Sequence, residues 1–341
     1  MNFEEDNLTE LCDKFSCPVQ SFSAAVYALM YMTTSAVVLI TVCGNLLVII
    51  SVCHFKRLQT PTNILILSLA VSDFLVGLFV MPLQLIMLIE SCWIFGEAVC
   101  MLYIFFSFQL TCVSINNVTL IAVDRYLALN NPFFYYKTIS LNVMFTLVLL
   151  IWLFSVVYNF ILLYINDSLT NLHMCPGQCF YNADDEIGQV CSMFDFLVVF
   201  LVPCSIIIIL YSKVFVIARR HAKAINKVNK ENHLQEQGNQ IQSTKSERKA
   251  AKVLGILVAV FLACLVPLYI YSVAGEKRNY DTNAELSESI TFLFYINSSI
   301  NPIIYALLYT WFQKSIKIMF SFRSCNRNAS FINVLFVKTR K

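Results

Sequence analysis

Charge is scarce in this chain. Of its 341 residues, 13% are Asp, Glu, Lys or Arg, while 58% are hydrophobic and 14% aromatic, for a mean hydropathy of +0.68. A soluble domain of this length carries about twice that share of charge, so a water-exposed globule is excluded. Histidine is also rare: His54, His173, His221 and His233 stand at no metal-ligand spacing, and no glycine-rich phosphate loop is present, so an enzymatic reading has nothing to build on. No basic n-region with a small-residue cleavage site precedes the first apolar run. A removable signal peptide is therefore not expected, and that run acts as its own anchor.

What fills the chain is apolar sequence in blocks. Stretches of about 20 residues or more, enough to cross a bilayer, lie at 26–53, 63–89, 98–122, 142–164, 190–218, 251–274 and 286–309. Carried on to 129 in the third and back to 248 in the sixth, they predict an all-α membrane protein with a seven-helix domain over 26–309. An N-terminal arm (1–25), a third inner loop (219–247) and a tail (310–341) complete the division. Gln109, Asn116 and Asn117 make the third stretch the least clean. Within the tail, Trp311, Phe312, Ile316, Ile318, Met319 and Phe320 have helical apolar spacing with Lys314 and Lys317 on the polar side, the pattern of a short interfacial helix.

Cations set the expected orientation. Of 24 Lys and Arg, only Lys14, Lys277 and Arg278 fall in the N-terminal arm or the even-numbered connections, and the other 21 lie on the opposite side. That side is expected to be cytoplasmic, with the chain multi-pass in the plasma membrane and its N-terminus outside. The outer side has the opposite bias and a net charge of −12, which concentrates cationic ligands. Each acid there also serves as an ordinary solvated group. Asn7 and Asn166 head glycosylation sequons on that side. Cys100, Cys175 and Cys179 fall where oxidation permits bridges, whereas Cys43, Cys112, Cys191, Cys204 and Cys264 read as packing residues. Cys325, after the interfacial helix, is open to palmitoylation or stays a free thiol.

The motifs go further. The last stretch carries Asn301-Pro302-Ile303-Ile304-Tyr305. A proline inside a membrane helix frees a carbonyl that lipid cannot satisfy, so the pair reads at least as a kink. The run resembles the last-span signature of rhodopsin-like G protein-coupled receptors. Extended from Asn297-Ser298 to Tyr309, Trp311 and Phe312, it is similar to the fingerprint of trace amine-associated receptors. Other landmarks stand in order: Gly44-Asn45, Leu69 to Asp73, Asp124-Arg125-Tyr126, Trp152, Pro203 with Tyr211, and Phe261, Cys264 and Pro267.

This resemblance implies several site residues. Asp73 with Ser114, Asn297 and Asn301 would form a sodium site, where the alternative is a neutralised carboxyl in a plain hydrogen-bond network. Arg125 beside Asp124 and Tyr126 would be held by Glu247, with Tyr211 and Tyr305 taking over on activation. Pro302, in the same signature as Tyr305, belongs to that switch, and Ile115, Pro203 and Phe261 would form a packing switch. Bridges Cys100–Cys179 and Cys17–Cys175 are implied, Cys17 suiting the second better than Cys12. The basic segment 212–252, whose ends can extend the fifth and sixth helices and whose Gln/Asn-rich middle at 231–244 is expected to be disordered, either meets anionic lipid or faces a G protein together with residues 127–136.

The ligand pocket departs from the aminergic pattern. Where such receptors carry an acid on the third span, eighteen residues before the arginine, this chain has Ser107. The fifth span instead carries Asp195, eight residues before Pro203. At ~1.5 Å per residue, Ser107 lies about 27 Å from Arg125 and Asp195 about 24 Å from Tyr211, so both belong to one outer cavity. An acid in a membrane span costs about 2.5–3.5 kcal/mol, and no Lys or Arg in any span is placed to pair with it. That marks a ligand counter-ion, the alternative being a protonated carboxyl bonded to Ser107, Thr111 or a backbone carbonyl. Some fish trace amine receptors are similar in having moved the acid in this way. Leu265 replaces the usual sixth-span tryptophan, and Tyr103, Phe108, Phe196, Leu268, Tyr269 and Tyr295 are placed either as aromatic and apolar pocket walls or as plain packing.

The expected function is that of a receptor for small amines, acting through a heterotrimeric G protein of the stimulatory, cyclase-activating class, with an olfactory role. Arrestin, a receptor kinase and membrane lipid are the further partners, with no nucleic acid and no cofactor beyond sodium. A peptide or lipid receptor with a structural Asp195 is the alternative. A secondary transporter is more remote, since the chain lacks repeated Gly/Pro-broken spans.

Overall fold

The computed structural model describes residues 23–90, 92–165, 179, 186–231, 238–275 and 284–320, with side chains left aside at 186, 221–231, 238–251, 272–275 and 284–288. Asn7, Cys17, Asn166, Cys175, Cys325 and the side chain of Glu247 lie outside the described residues. Among the described residues, seven helices are long and apolar enough to cross a bilayer: Ala24–His54, Pro61–Glu90, Gly96–Asn130, Leu141–Ile165, Ile187–Arg220, Lys252–Tyr271 and Ser289–Leu308. They are called the first to seventh spans below. An eighth helix, Thr310–Phe320, follows at once, and a short one, Pro132–Thr138, joins the third span to the fourth.

These spans invert the burial logic of a soluble bundle. The first buries Thr41, Asn45, Val48, Ser51 and Val52 along one stripe and exposes Leu29, Met32, Leu39 and Ile50. Small and polar groups face the neighbouring helices because lipid offers them no hydrogen bonds, while large aliphatics remain on the lipid side. The third span is the hub, packing on the second, fourth, fifth and sixth, and the seventh closes the bundle against the first, second and sixth.

Element ends follow local chemistry. Thr60 caps the second span, its hydroxyl accepting from the Asn63 amide at 3.3 Å ahead of Pro61, and Asn131 does the same for Phe134 at 3.2 Å ahead of Pro132. Between the seventh span and the eighth helix, the Gln313 amide turns back to donate to the carbonyls of Ala306 (2.9 Å) and Leu307 (3.1 Å), satisfying helix-end acceptors. The eighth helix buries Trp311, Phe312, Ser315 and Ile318, as its apolar spacing predicts.

Two spans contain a wide turn. In the second it covers Val76–Val80, just before Pro82, and in the fifth Phe196–Leu201, just before Pro203. Proline has no N–H and its ring crowds the carbonyl four residues back; a π-turn accommodates both within a continuous helix.

One expectation needs correcting. The segment 231–244 is helical wherever it is described: Glu231 ends the helix that continues the fifth span, and from Gly238 a helix runs into the sixth. Gln, Lys and Glu are good helix formers, and extending an existing apolar helix requires no new nucleation.

Candidate functional site

At the Cys100 end, the fifth span presents Asp195 as the last residue before the wide turn. Its half-buried carboxylate accepts a hydrogen bond from the Tyr158 hydroxyl of the fourth span at 3.1 Å. The Cys112 thiol and the Tyr269 hydroxyl lie within electrostatic reach. No Lys or Arg among the described residues pairs with it. The proposed bond from Ser107 or Thr111 is not made. Thr111 donates instead to the Ser107 carbonyl of its own helix at 2.7 Å, and the Ser107 Oγ is buried with no hydrogen bond.

Aromatic rings flank the carboxylate. Tyr269 stacks on Phe200 with centroids 4.2 Å apart, and Phe196 stands 5.4 Å from Phe200 and 6.2 Å from Tyr269. Leu265 is fully buried and Leu268 half-buried beside this group, whereas Phe108 is exposed. A second polar group gathers on the second, third and seventh spans. Tyr103 donates to the buried Gln84, packs 5.6 Å from Trp93, and stands with Ser107 beside the buried Tyr295. Tyr158, Gln84 and Phe200 are the residues sequence reasoning missed. Gln84 carried a usable signal, being an amide in the outer half of an apolar span. Tyr158 carried none, since one phenol among many aromatics does not announce its partner.

Deeper in the bundle, Asp73 accepts from the Ser298 hydroxyl at 2.8 Å and from the Asn301 amide at 2.7 Å. Ser114 bonds Ser72 at 3.1 Å rather than Asp73. The Oδ1 atoms of Asn297 and Asn301 are buried without a partner. Asn45 links this layer to the first span by donating to the Ser298 carbonyl at 3.0 Å, and Thr41 bonds Ser299 at 2.5 Å.

At the opposite end, Arg125 and Asp124 are both buried and joined at 2.6 Å. Asp124 also accepts from Thr62 at 2.8 Å and from Tyr135 at 2.7 Å, while Arg125 donates to Thr62 as well. Tyr135 belongs to the short connecting helix, where burial first, then the charge of Asp124 and the bond to it, pushes its phenol well above the ordinary range. It therefore remains a donor at any physiological pH. The hydroxyls of Tyr211 and Tyr305 are buried and make no hydrogen bond. Tyr126 packs on the Leu129 and Val214 cluster, and Ile115, Pro203 and Phe261 are all buried.

A disulfide joins Cys100, at the start of the third span, to Cys179, with Cα atoms 5.7 Å apart. Residues 44–305 match the family model for the 7 transmembrane receptor (rhodopsin family). Trace amine-associated receptor 13c of Danio rerio is 37% identical over 94% of this chain and 94% of its own. Trace amine-associated receptor 7d of Mus musculus is 36% identical over 96% and 92%, and its Rattus norvegicus namesake 35% over 94% and 89%. The chain belongs to the trace amine-associated receptor family. These relatives are receptors rather than enzymes, and the seven apolar helices fit a multi-pass membrane protein. In this trace amine-associated receptor the acid and aromatic group draws on the fourth, fifth and sixth spans, and the Tyr103, Ser107 and Tyr295 group on the third and seventh.

Proposed function

We propose that this protein senses small primary or tertiary amines, with Asp195 as the counter-ion, and activates a heterotrimeric G protein. The observation that carries the reading is the Asp195 carboxylate itself: it is half-buried in a membrane span with one neutral donor, Tyr158, and no cation among the described residues. Such an acid is stabilised by a cationic ligand. The Tyr269, Phe196 and Phe200 rings supply negative faces for an ammonium and apolar walls for its substituents.

The plasma membrane, an outward N-terminus, stimulatory coupling, an olfactory role, and arrestin and receptor kinase as later partners complete the reading. They rest on charge bias and family membership. A sodium ion fits the Asp73 layer, where Asn297 and Asn301 each leave a buried amide oxygen unpartnered. Asp73, Asn297 and Asn301 would hold it, supplying positive charge to the buried carboxylate in the resting receptor.

The test is a panel of small amines applied to expressing cells with a cyclic-nucleotide reporter. Breaking a desolvated ion pair on one side costs about 2–5 kcal/mol, so Asp195→Asn should lower potency by roughly 30-fold or more. Wild-type potency in a variant that reaches the surface would overturn the assignment and favour a peptide or lipid ligand.

A further inference from the structure

On the flank between the third and fifth spans, at the Arg125 end, lies a cleft of about 350 Å³ whose walls include Tyr126, Asn130, Lys213, Val216, Ile217 and Arg220. Beneath it, Leu129 and Val214 form a small buried cluster apart from the main core, with Tyr126, Tyr211 and Ile217 packed on it. No acid is among the described residues that line the cleft. Lys213 and Arg220 are exposed and make no ion pair among the described residues; Lys213 sits 5.7 Å from the centre of the Tyr126 ring. The apolar run of the fifth span gives way to charge at Arg219 and Arg220, which puts the cleft where that helix leaves the hydrocarbon layer.

The occupant must satisfy two demands. The cations sit seven residues apart on one helix, about 10 Å along its axis, within the combined reach of two long side chains. They call for an anionic head. Val216, Ile217 and the Tyr126 ring call for hydrocarbon just inside it. A free anion would leave the apolar wall in water, an amine would be repelled, and a zwitterionic lipid brings its own cation against Lys213 and Arg220. We propose that this cleft is a binding site for an anionic phospholipid, its phosphate held by Lys213 and Arg220 and the root of an acyl chain laid on the Val216 and Ile217 wall. The proposal does not depend on the ligand at Asp195.

Native mass spectrometry of the full-length purified receptor, titrated with phosphatidylglycerol or phosphatidylcholine, tests this. Wild type should take up its first phosphatidylglycerol roughly tenfold more tightly than phosphatidylcholine. The double variant Lys213→Gln/Arg220→Gln should lose most of that preference, and Arg220→Gln alone, at an exposed position, part of it. Lys213→Arg should keep it. Lys314→Gln/Lys317→Gln, which removes equal charge from the eighth helix, should also keep it. Equal loss in both double variants would reveal a diffuse charge effect and sink the proposal. So would an unchanged preference in the cleft variants, or displacement of the lipid by millimolar inorganic phosphate, which would mark a free-anion site instead.

Discussion

Pro302 of the seventh span rests against the bare backbone of Gly44 in the first: a Cβ added at Gly44 would fall 2.8 Å from the proline Cγ. Both are landmark residues of the family signature, and the contact explains why they occur together. The seventh span can approach the first this closely only where no side chain intervenes.

Gly44→Ala should therefore destabilise the bundle. Overpacking of a tight contact costs about 1–3 kcal/mol, which corresponds to a fall of about 3–8 °C in the thermal midpoint of solubilised receptor. Gly255→Ala is the control, since its Cβ would meet Tyr211 at an ordinary 3.6 Å. Equal shifts in the two variants would show that the Pro302 contact is not the cause.

Tyr158 should matter through Asp195. Loss of a hydrogen bond to a charged group is worth about 1.5–3 kcal/mol, so Tyr158→Phe should reduce amine potency by roughly tenfold or more. Combined with Asp195→Asn it should add little, because both changes break one interaction. Additive losses in the cyclic-nucleotide assay would mean that Tyr158 touches the ligand independently.

Moving the acid should turn the ligand round. Ser107→Asp with Asp195→Ser moves the carboxylate from the Tyr158 side to a position beside Tyr295 and Tyr103. The double variant should regain amine response with an altered order of potency among analogues. An unchanged order would show that the acid's position does not set ligand orientation.

Arg125 and Asp124 form a network with Thr62 and Tyr135. Tyr135→Phe leaves Asp124 short of a donor and should raise basal signalling, as should Glu247→Ala if that side chain also restrains Arg125. Each change removes about 1–3 kcal/mol from the resting state. Basal cyclic nucleotide at matched surface expression decides both, and Arg125→Ala should abolish coupling while sparing amine binding.

The spans and the motif order were legible because lipid imposes a length and a polarity that composition shows directly. Asp195 was legible for the same reason, as an acid misplaced in hydrocarbon. Its partner was not, because the Tyr158 bond depends on how the fourth and fifth spans rotate against each other. Ser298, quoted in the signature, was not foreseen as a partner of Asp73: a serine next to Asn297 looks no different from Ser299, and only the packed helix shows which of them reaches Asp73. The helical ends of the third inner loop were legible as continuations of the fifth and sixth spans, but the helix from Gly238 was missed because a Gln/Asn-rich composition describes solvation better than backbone conformation.

The wide turn at Phe196–Leu201 makes the fifth span two rods on one axis, with separately set phases. The outer rod aims Asp195 and the inner one aims Tyr211. Removing one residue from the turn would swing Asp195 by about 100° around the axis, from the bundle interior toward lipid, and leave the phase at Tyr211 untouched. What the receptor detects and how it answers can thus be tuned apart along a single helix.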